Sequence, residues 1–180
     1  MVKWALLIVL SFFITLGTYL YFYLGAYHPV DLKIETRGPW ILLYKTHLGP
    51  YYKLNSTLQQ VEAFAKAQNL DCSVTFGEFL DDPQSADEDR LRSHVGCLLP
   101  TKPEPSLQTP QGYTLEERPS KEYVVGKFSG APSIGPYTVY PKAYEFISQQ
   151  RLKQSGYVIE LYRLHENAIE TEFLFPLLSR

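Results

Sequence analysis

The chain has 180 residues, 45% of them hydrophobic and 14% aromatic, which excludes a disordered polymer and leaves ample material for one core. A formal charge of -2 lacks the clustered excess of Lys and Arg that phosphate backbones require, so no nucleic-acid partner is expected. Two cysteines are too few for a disulfide framework or a four-thiolate zinc site.

The mean hydropathy of -0.17 averages two unlike parts. From Trp4 to Tyr27 there is no charged side chain, and about 20 apolar residues suffice to cross a bilayer as a helix. Tyr19, Tyr21, Phe22, Tyr23 and Tyr27 crowd one end and Trp4 marks the other, where amphipathic rings meet the two interfaces. A cleaved signal peptide is the competing reading, but Leu24 and Ala26 fit poorly as the small residues before a cut. Residues 1–28 are therefore expected to form a single-pass anchor, inserted in the lipid bilayer through residues 4–24. Lys3 on one side against Lys33 and Arg37, interleaved with Asp31 and Glu35, leaves the side of the membrane open.

The remainder, residues 30–180, reads as one domain built from two similar halves, about 30–100 and 111–178. In the first half a strand at Trp40–Tyr44 leads to His47-Leu48-Gly49-Pro50-Tyr51. A helix follows, with Leu54, Leu58, Val61, Phe64 and Ala65 on one face. Strands at Ser73–Leu80 and Leu91–Leu98 then flank the Asp81-Asp82-Pro83 turn. A proline-rich linker spans 100–110 and should be extended.

The second half repeats the order. A strand at Tyr123–Phe128 precedes Ile134-Gly135-Pro136-Tyr137, so Gly-Pro-Tyr recurs after a strand in both halves. The next helix carries Ala143, Tyr144, Ile147 and Leu152 on one face, with Pro141 suited to its first position and Gly156 to its stop. Strands at Tyr157–Leu164 and Ile169–Leu177 flank His165-Glu166-Asn167. Gly49 and Gly135 are read as backbone turns that the following prolines stiffen. The fold class is thus α+β: a transmembrane helix followed by a duplicated βαββ domain. Its two helices should lie on one side of an antiparallel sheet assembly, with a groove between the units on the other.

Chemistry-bearing motifs are sparse. His28, His47, His94 and His165 are dispersed without ligand spacing, so neither metal nor cofactor is expected. Nucleophile elbow, Walker and dinucleotide signatures are absent, and the balance is against an enzyme. A hairpin centred near residue 85 brings Cys72 roughly opposite Cys97 or its neighbour; they would be a disulfide in an exported domain and thiols in a cytosolic one. Tyr44, Tyr51, Tyr123, Tyr137 and Tyr162 sit on or beside strands and helix starts, where rigid rings with polar tips could line a pocket or pack as core and rim. Along the penultimate strand Val158, Glu160, Tyr162 and Leu164 alternate onto one face, which gives a carboxylate apolar and aromatic neighbours unless that face meets water.

The tandem order, His47 to Tyr51, Asp82-Pro83, and the closing Ile159-Glu160-Leu161-Tyr162 with Thr171-Glu172-Phe173-Leu174-Phe175-Pro176 resemble the GyrI-like, effector-binding domain. An anchor directly before such a domain resembles the layout of the testis-expressed, ER-anchored autophagy-receptor branch of that family. The long acidic tail of that branch does not follow Arg180, so receptor activity is not carried over. The resemblance implies a module that binds small amphipathic or cationic molecules in the groove between its halves, with Glu160 as the matching carboxylate. The expectation is a membrane-tethered, non-catalytic ligand-binding module. An adaptor receiving a protein partner in the same groove is the alternative, and a small-molecule hydrolase with Glu160 as general base and Tyr162 as its orienting group is the third reading.

Overall fold

The computed structural model describes residues 2–104, 107–165 and 168–178; the expected turn residues Glu166 and Asn167 lie outside them. Helix α1 (Val2–Tyr23) holds the span Lys3–Tyr23, which is exposed along its length and has a mean hydropathy of 2.1, long and apolar enough to cross a membrane. After it come strands β1 (Asp31–Arg37) and β2 (Trp40–Leu48), helix α2 (Leu54–Ala67), and strands β3 (Val74–Phe79) and β4 (Arg92–Leu99). The second half supplies β5 (Tyr113–Arg118), β6 (Lys121–Phe128), helix α3 (Gly135–Gln149), β7 (Val158–His165) and β8 (Ala168–Pro176). Among its described residues the 100–110 linker holds no helix or strand.

The expected strand, helix, strand, strand order is therefore corrected: each half begins with one more strand. Both additional strands, Asp-Leu-Lys-Ile-Glu-Thr-Arg and Tyr-Thr-Leu-Glu-Glu-Arg, are short, charged and at the two edges of the sheet. Edge strands carry such charges because one side of their backbone is unpaired, which weakens the apolar signal that marks central strands. α3 is corrected as well. It begins at Gly135 with Pro136 in its first turn, so Pro141 is inside the helix, and it ends before Leu152 and Gly156.

All eight strands form one antiparallel sheet in the order β1-β6-β8-β7-β3-β4-β2-β5. The first strand of each half pairs with the second strand of the other, and β7 meets β3 at the centre. In a flat sheet with strands about 4.8 Å apart, β2 and β6 would be separated by more than 20 Å. Trp40 on β2 nevertheless stacks on Tyr123 of β6 with ring centroids 5.4 Å apart, so the sheet curls around an inner core. That core joins Trp40, Leu42, Tyr44, Phe76, Tyr123, Val125, Ile159, Leu161 and Leu174.

Both helices cover the outer face. Val61 and Ala65 of α2 pack on Leu43, Cys97 and Leu99. Val139, Ala143 and Ile147 of α3 pack on Val124, Phe128, Phe173 and Phe175. A disulfide joins Cys72, just before β3, to Cys97 on β4. The side opposite the helices, where an open groove was expected, carries the inner core among the described residues.

Candidate functional site

Alternation along β7 sends Ile159 and Leu161 to the inner core and Glu160 to the outer face, beneath α3. Antiparallel pairing places Gly77 of β3 and Phe173 of β8 directly beside Glu160. Glu160 is only 3% exposed. Its Oε1 accepts a hydrogen bond of 2.7 Å from the Tyr140 hydroxyl, and its Oε2 accepts one of 2.6 Å from the Tyr162 hydroxyl. The Tyr140 ring is set by edge contacts to Phe173, Phe175 and Tyr144. Among the described residues no ion pair involves Glu160, so two neutral phenols hold a carboxyl group away from water.

The electrostatics follow from that isolation. Burial raises the carboxyl pKa of Glu160 because it penalises the charged form, and the two phenolic hydrogen bonds only partly oppose it. The hydroxyls of Tyr140 and Tyr162 are pushed far up, first by burial and then by the adjacent acid. Thr171, which faces Tyr162 across β7 and β8, has a buried hydroxyl oxygen with no hydrogen-bond partner among the described residues. A cation entering here would meet a localised negative charge in a medium of low polarity, where the attraction is far stronger than in water.

The expected pocket tyrosines divide between places. Tyr162 is bound to Glu160. Tyr51 lies in the short turn before α2, where its hydroxyl donates to the Asp81 carbonyl at 2.8 Å and its ring meets Phe79 edge-on. Tyr137 stands on the first turn of α3, 83% exposed. Tyr44 and Tyr123 belong to the inner face, opposite Glu160. Tyr44 donates to Glu116, and burial with that partner pushes it up to about 12. Tyr123 stacks on Trp40, and burial raises it to about 12 too.

Sequence reasoning overlooked Tyr140, and it read Tyr144 as part of a helix face and Phe173 and Phe175 as part of the closing motif without assigning them to the site. A signal existed: Tyr137, Tyr140 and Tyr144 recur at the helical spacing that puts them on one stripe. Two surface hollows lie elsewhere, one beside α2 lined by Glu62, Asn69 and Asp71, the other between β1 and Leu177. Neither includes Glu160.

The family model of the GyrI-like small molecule binding domain matches residues 31–177. No curated protein matches the sequence. Among solved structures, a cryo-EM structure of an EcmrR–DNA complex in EcmrR-RPo aligns with a TM-score of 0.64 at 10% identity, covering 99% of this chain and 69% of that one. The crystal structure of the EcmrR C-terminal domain gives 0.61 at 12% identity, covering 85% and 100%. SAV2435 bound to tetraphenylphosphonium gives 0.54 at 14% identity, covering 83% and 94%. At these identities the likeness is one of fold.

Proposed function

Because the chain belongs to the GyrI-like small molecule binding domain family, we propose that its Glu160 site holds a small amphipathic or cationic molecule in a non-catalytic module tethered to a membrane by α1. The observation that carries this reading is a buried carboxyl whose partners are two phenols and no cation. Ring faces of Tyr140 and Tyr162 add about 0.5–2 kcal/mol each for a cation seated over them. A hydrolase is disfavoured by the same geometry. Both Glu160 oxygens already accept hydrogen bonds from phenols. Glu172 on the adjacent strand points to the inner face against Arg37, Lys127 and Arg163, so no second acid stands beside Glu160 among the described residues.

Tetraphenylphosphonium, the ligand of SAV2435, is a suitable probe. For the full chain in nanodiscs, Glu160→Gln should weaken tetraphenylphosphonium binding about 30-fold or more, as expected for removing one member of a desolvated charge pair. The wild-type affinity should rise with pH as Glu160 ionises, since burial lifts its pKa and only the carboxylate pairs with the cation. The Gln variant should show no such rise. Equal affinities in calorimetry, with matching pH profiles, would refute the proposed site.

The disulfide supports residues 31–177 on the oxidising side, which for a spanning α1 leaves Lys3 and the N terminus in the cytoplasm. Cys72 and Cys97 should then be unreactive to maleimide in non-reduced, denatured protein extracted from cells with thiols blocked. Two reactive thiols in that sample would place the domain in a reducing compartment.

A further inference from the structure

The Glu160 site is closed in this structure, so a ligand needs a path to it. The junction between the anchor and the domain indicates where that path opens. Gly25, just beyond α1, is buried against Gly130, and the Ala131 amide donates to the Leu24 carbonyl at 2.9 Å. The end of α1 is thus fixed to the loop that leads into α3.

Two rows of side chains run from Glu160 toward this junction. On α3 the stripe Tyr144, Tyr140, Tyr137 passes from the Glu160 partner to the exposed Tyr137, one helical turn nearer the start of the helix. On the outer face of β7 the alternation Glu160, Tyr162, Leu164 ends at a leucine that is 79% exposed. Leu164 pairs with Ile169 of β8, also exposed, and Ile169 lies two residues past the Phe128–Thr171 pair, toward Gly130. Tyr137, Leu164 and Ile169 are therefore large apolar side chains left open to the surroundings at the end of the domain where α1 is attached. Exposed apolar groups beside a membrane helix, with an aromatic among them, match the chemistry of the lipid interface.

The hydrogen bonding of α3 is interrupted near its start. Pro141 has no amide proton, so the Tyr137 carbonyl lacks the helical hydrogen bond that residue would supply. Tyr140 sits immediately before that interruption. Rotation of the first turns about it would lift the Tyr140 hydroxyl from Glu160 and carry Val139 with it, while Ala143 and Ile147 beyond Pro141 keep their packing.

We propose that ligands reach Glu160 sideways from the bilayer, through a mouth formed by Tyr137, Leu164 and Ile169, and hence that the physiological ligands are amphiphilic cations partitioned into lipid. This rests on the Glu160 reading and on α1 spanning the membrane. Two measurements on the full chain in nanodiscs test it.

A nitroxide on Leu164→Cys should be accessible to dissolved oxygen and shielded from a water-soluble nickel chelate, whereas the same label on Tyr52→Cys, in the turn before α2, should show the reverse. The double variant Leu164→Glu, Ile169→Glu should slow both association and dissociation of tetraphenylphosphonium about 10-fold, with its equilibrium affinity within about twofold of wild type. Circular dichroism checks that this surface variant is folded. A label at position 164 that sits in water, or unchanged association kinetics in the double variant, would overturn the lateral path and leave the Glu160 site standing. A wild-type chain that takes up no tetraphenylphosphonium would overturn the site and the path together.

Discussion

Gly96→Ala should cost more than about 3 kcal/mol of folding stability, a large fraction of the roughly 5–15 kcal/mol that holds an ordinary domain together. Gly96 lies on β4, opposite Tyr44 on one side and Phe76 on the other. A Cβ there would stand 1.9 Å from the Leu43 carbonyl oxygen and 2.7 Å from Tyr44 Cα. These are backbone atoms of a paired strand, so the clash is relieved only by parting β2 from β4.

Gly126→Ala is the matched control. Its Cβ would meet Val139 Cγ1 at 2.9 Å and Leu32 Cδ2 at 3.0 Å, side-chain atoms rather than the backbone of a paired strand, and a smaller cost of about 1–3 kcal/mol is expected. Urea denaturation of both variants reads the difference directly. A loss below about 1 kcal/mol for Gly96→Ala, with an unchanged dependence on urea, would mean that the sheet is not curled this tightly at β4.

The same curvature explains what could and could not be seen in the sequence. Runs of apolar residues located the central strands to within a residue or two, except that β2 runs on four residues past Tyr44. These strands are covered on both faces, so Leu42 with Leu43, or Val124 with Val125, are buried alike. Apolar periodicity located both helices, although only tertiary contact decides that α3 runs on through Pro141. The edge strands β1 and β5 were silent, since Lys33, Glu35, Glu116 and Arg118 break any apolar pattern.

Curling is a property of pairing between distant segments. No local pattern in Tyr44 or Tyr123 distinguishes an inner-core ring from one that faces a ligand. Within the candidate site, the neighbouring of Glu160 and Tyr162 was legible because two residues on one strand share a face. Tyr140 was not, because its place over Glu160 depends on α3 crossing β7, which is set by packing of Val139 and Ala143 rather than by any spacing between residues 140 and 160.

The largest pH effect should come from the opposite face of the sheet, at Glu172. Its side chain is buried on β8, where it accepts 2.6 Å from Arg163 on β7, meets Lys127 on β6 at 2.9 Å, and meets Arg37 on β1 at 3.1 Å. Four adjacent strands are joined through one carboxylate. Burial alone would raise its pKa; hydrogen bonds from Arg163 and Lys127, with the charges of Arg163 and Arg37, outweigh that and hold it at about 2. A carboxyl depressed in the folded state stabilises the fold fully above its unfolded value, near 4.3, and that contribution disappears as pH falls through the folded value.

Wild-type stability should therefore drop by about 3 kcal/mol between roughly pH 5 and pH 2 on account of this residue. Glu172→Gln should be less stable by about 3–5 kcal/mol at pH 7, because three cationic side chains lose the acid that neutralises them. The same variant should lose less than wild type on acidification. Thermal unfolding of both proteins from pH 7 to pH 2 checks the sign as well as the size: curves that converge toward low pH support the assignment. Parallel curves would show that Glu172 titrates alike in the folded and unfolded chains. The contrast with Glu160 is physical, since one buried acid is surrounded by cations of its own chain and the other has only phenols. That leaves Glu160 without a counter-charge among the described residues of its own chain.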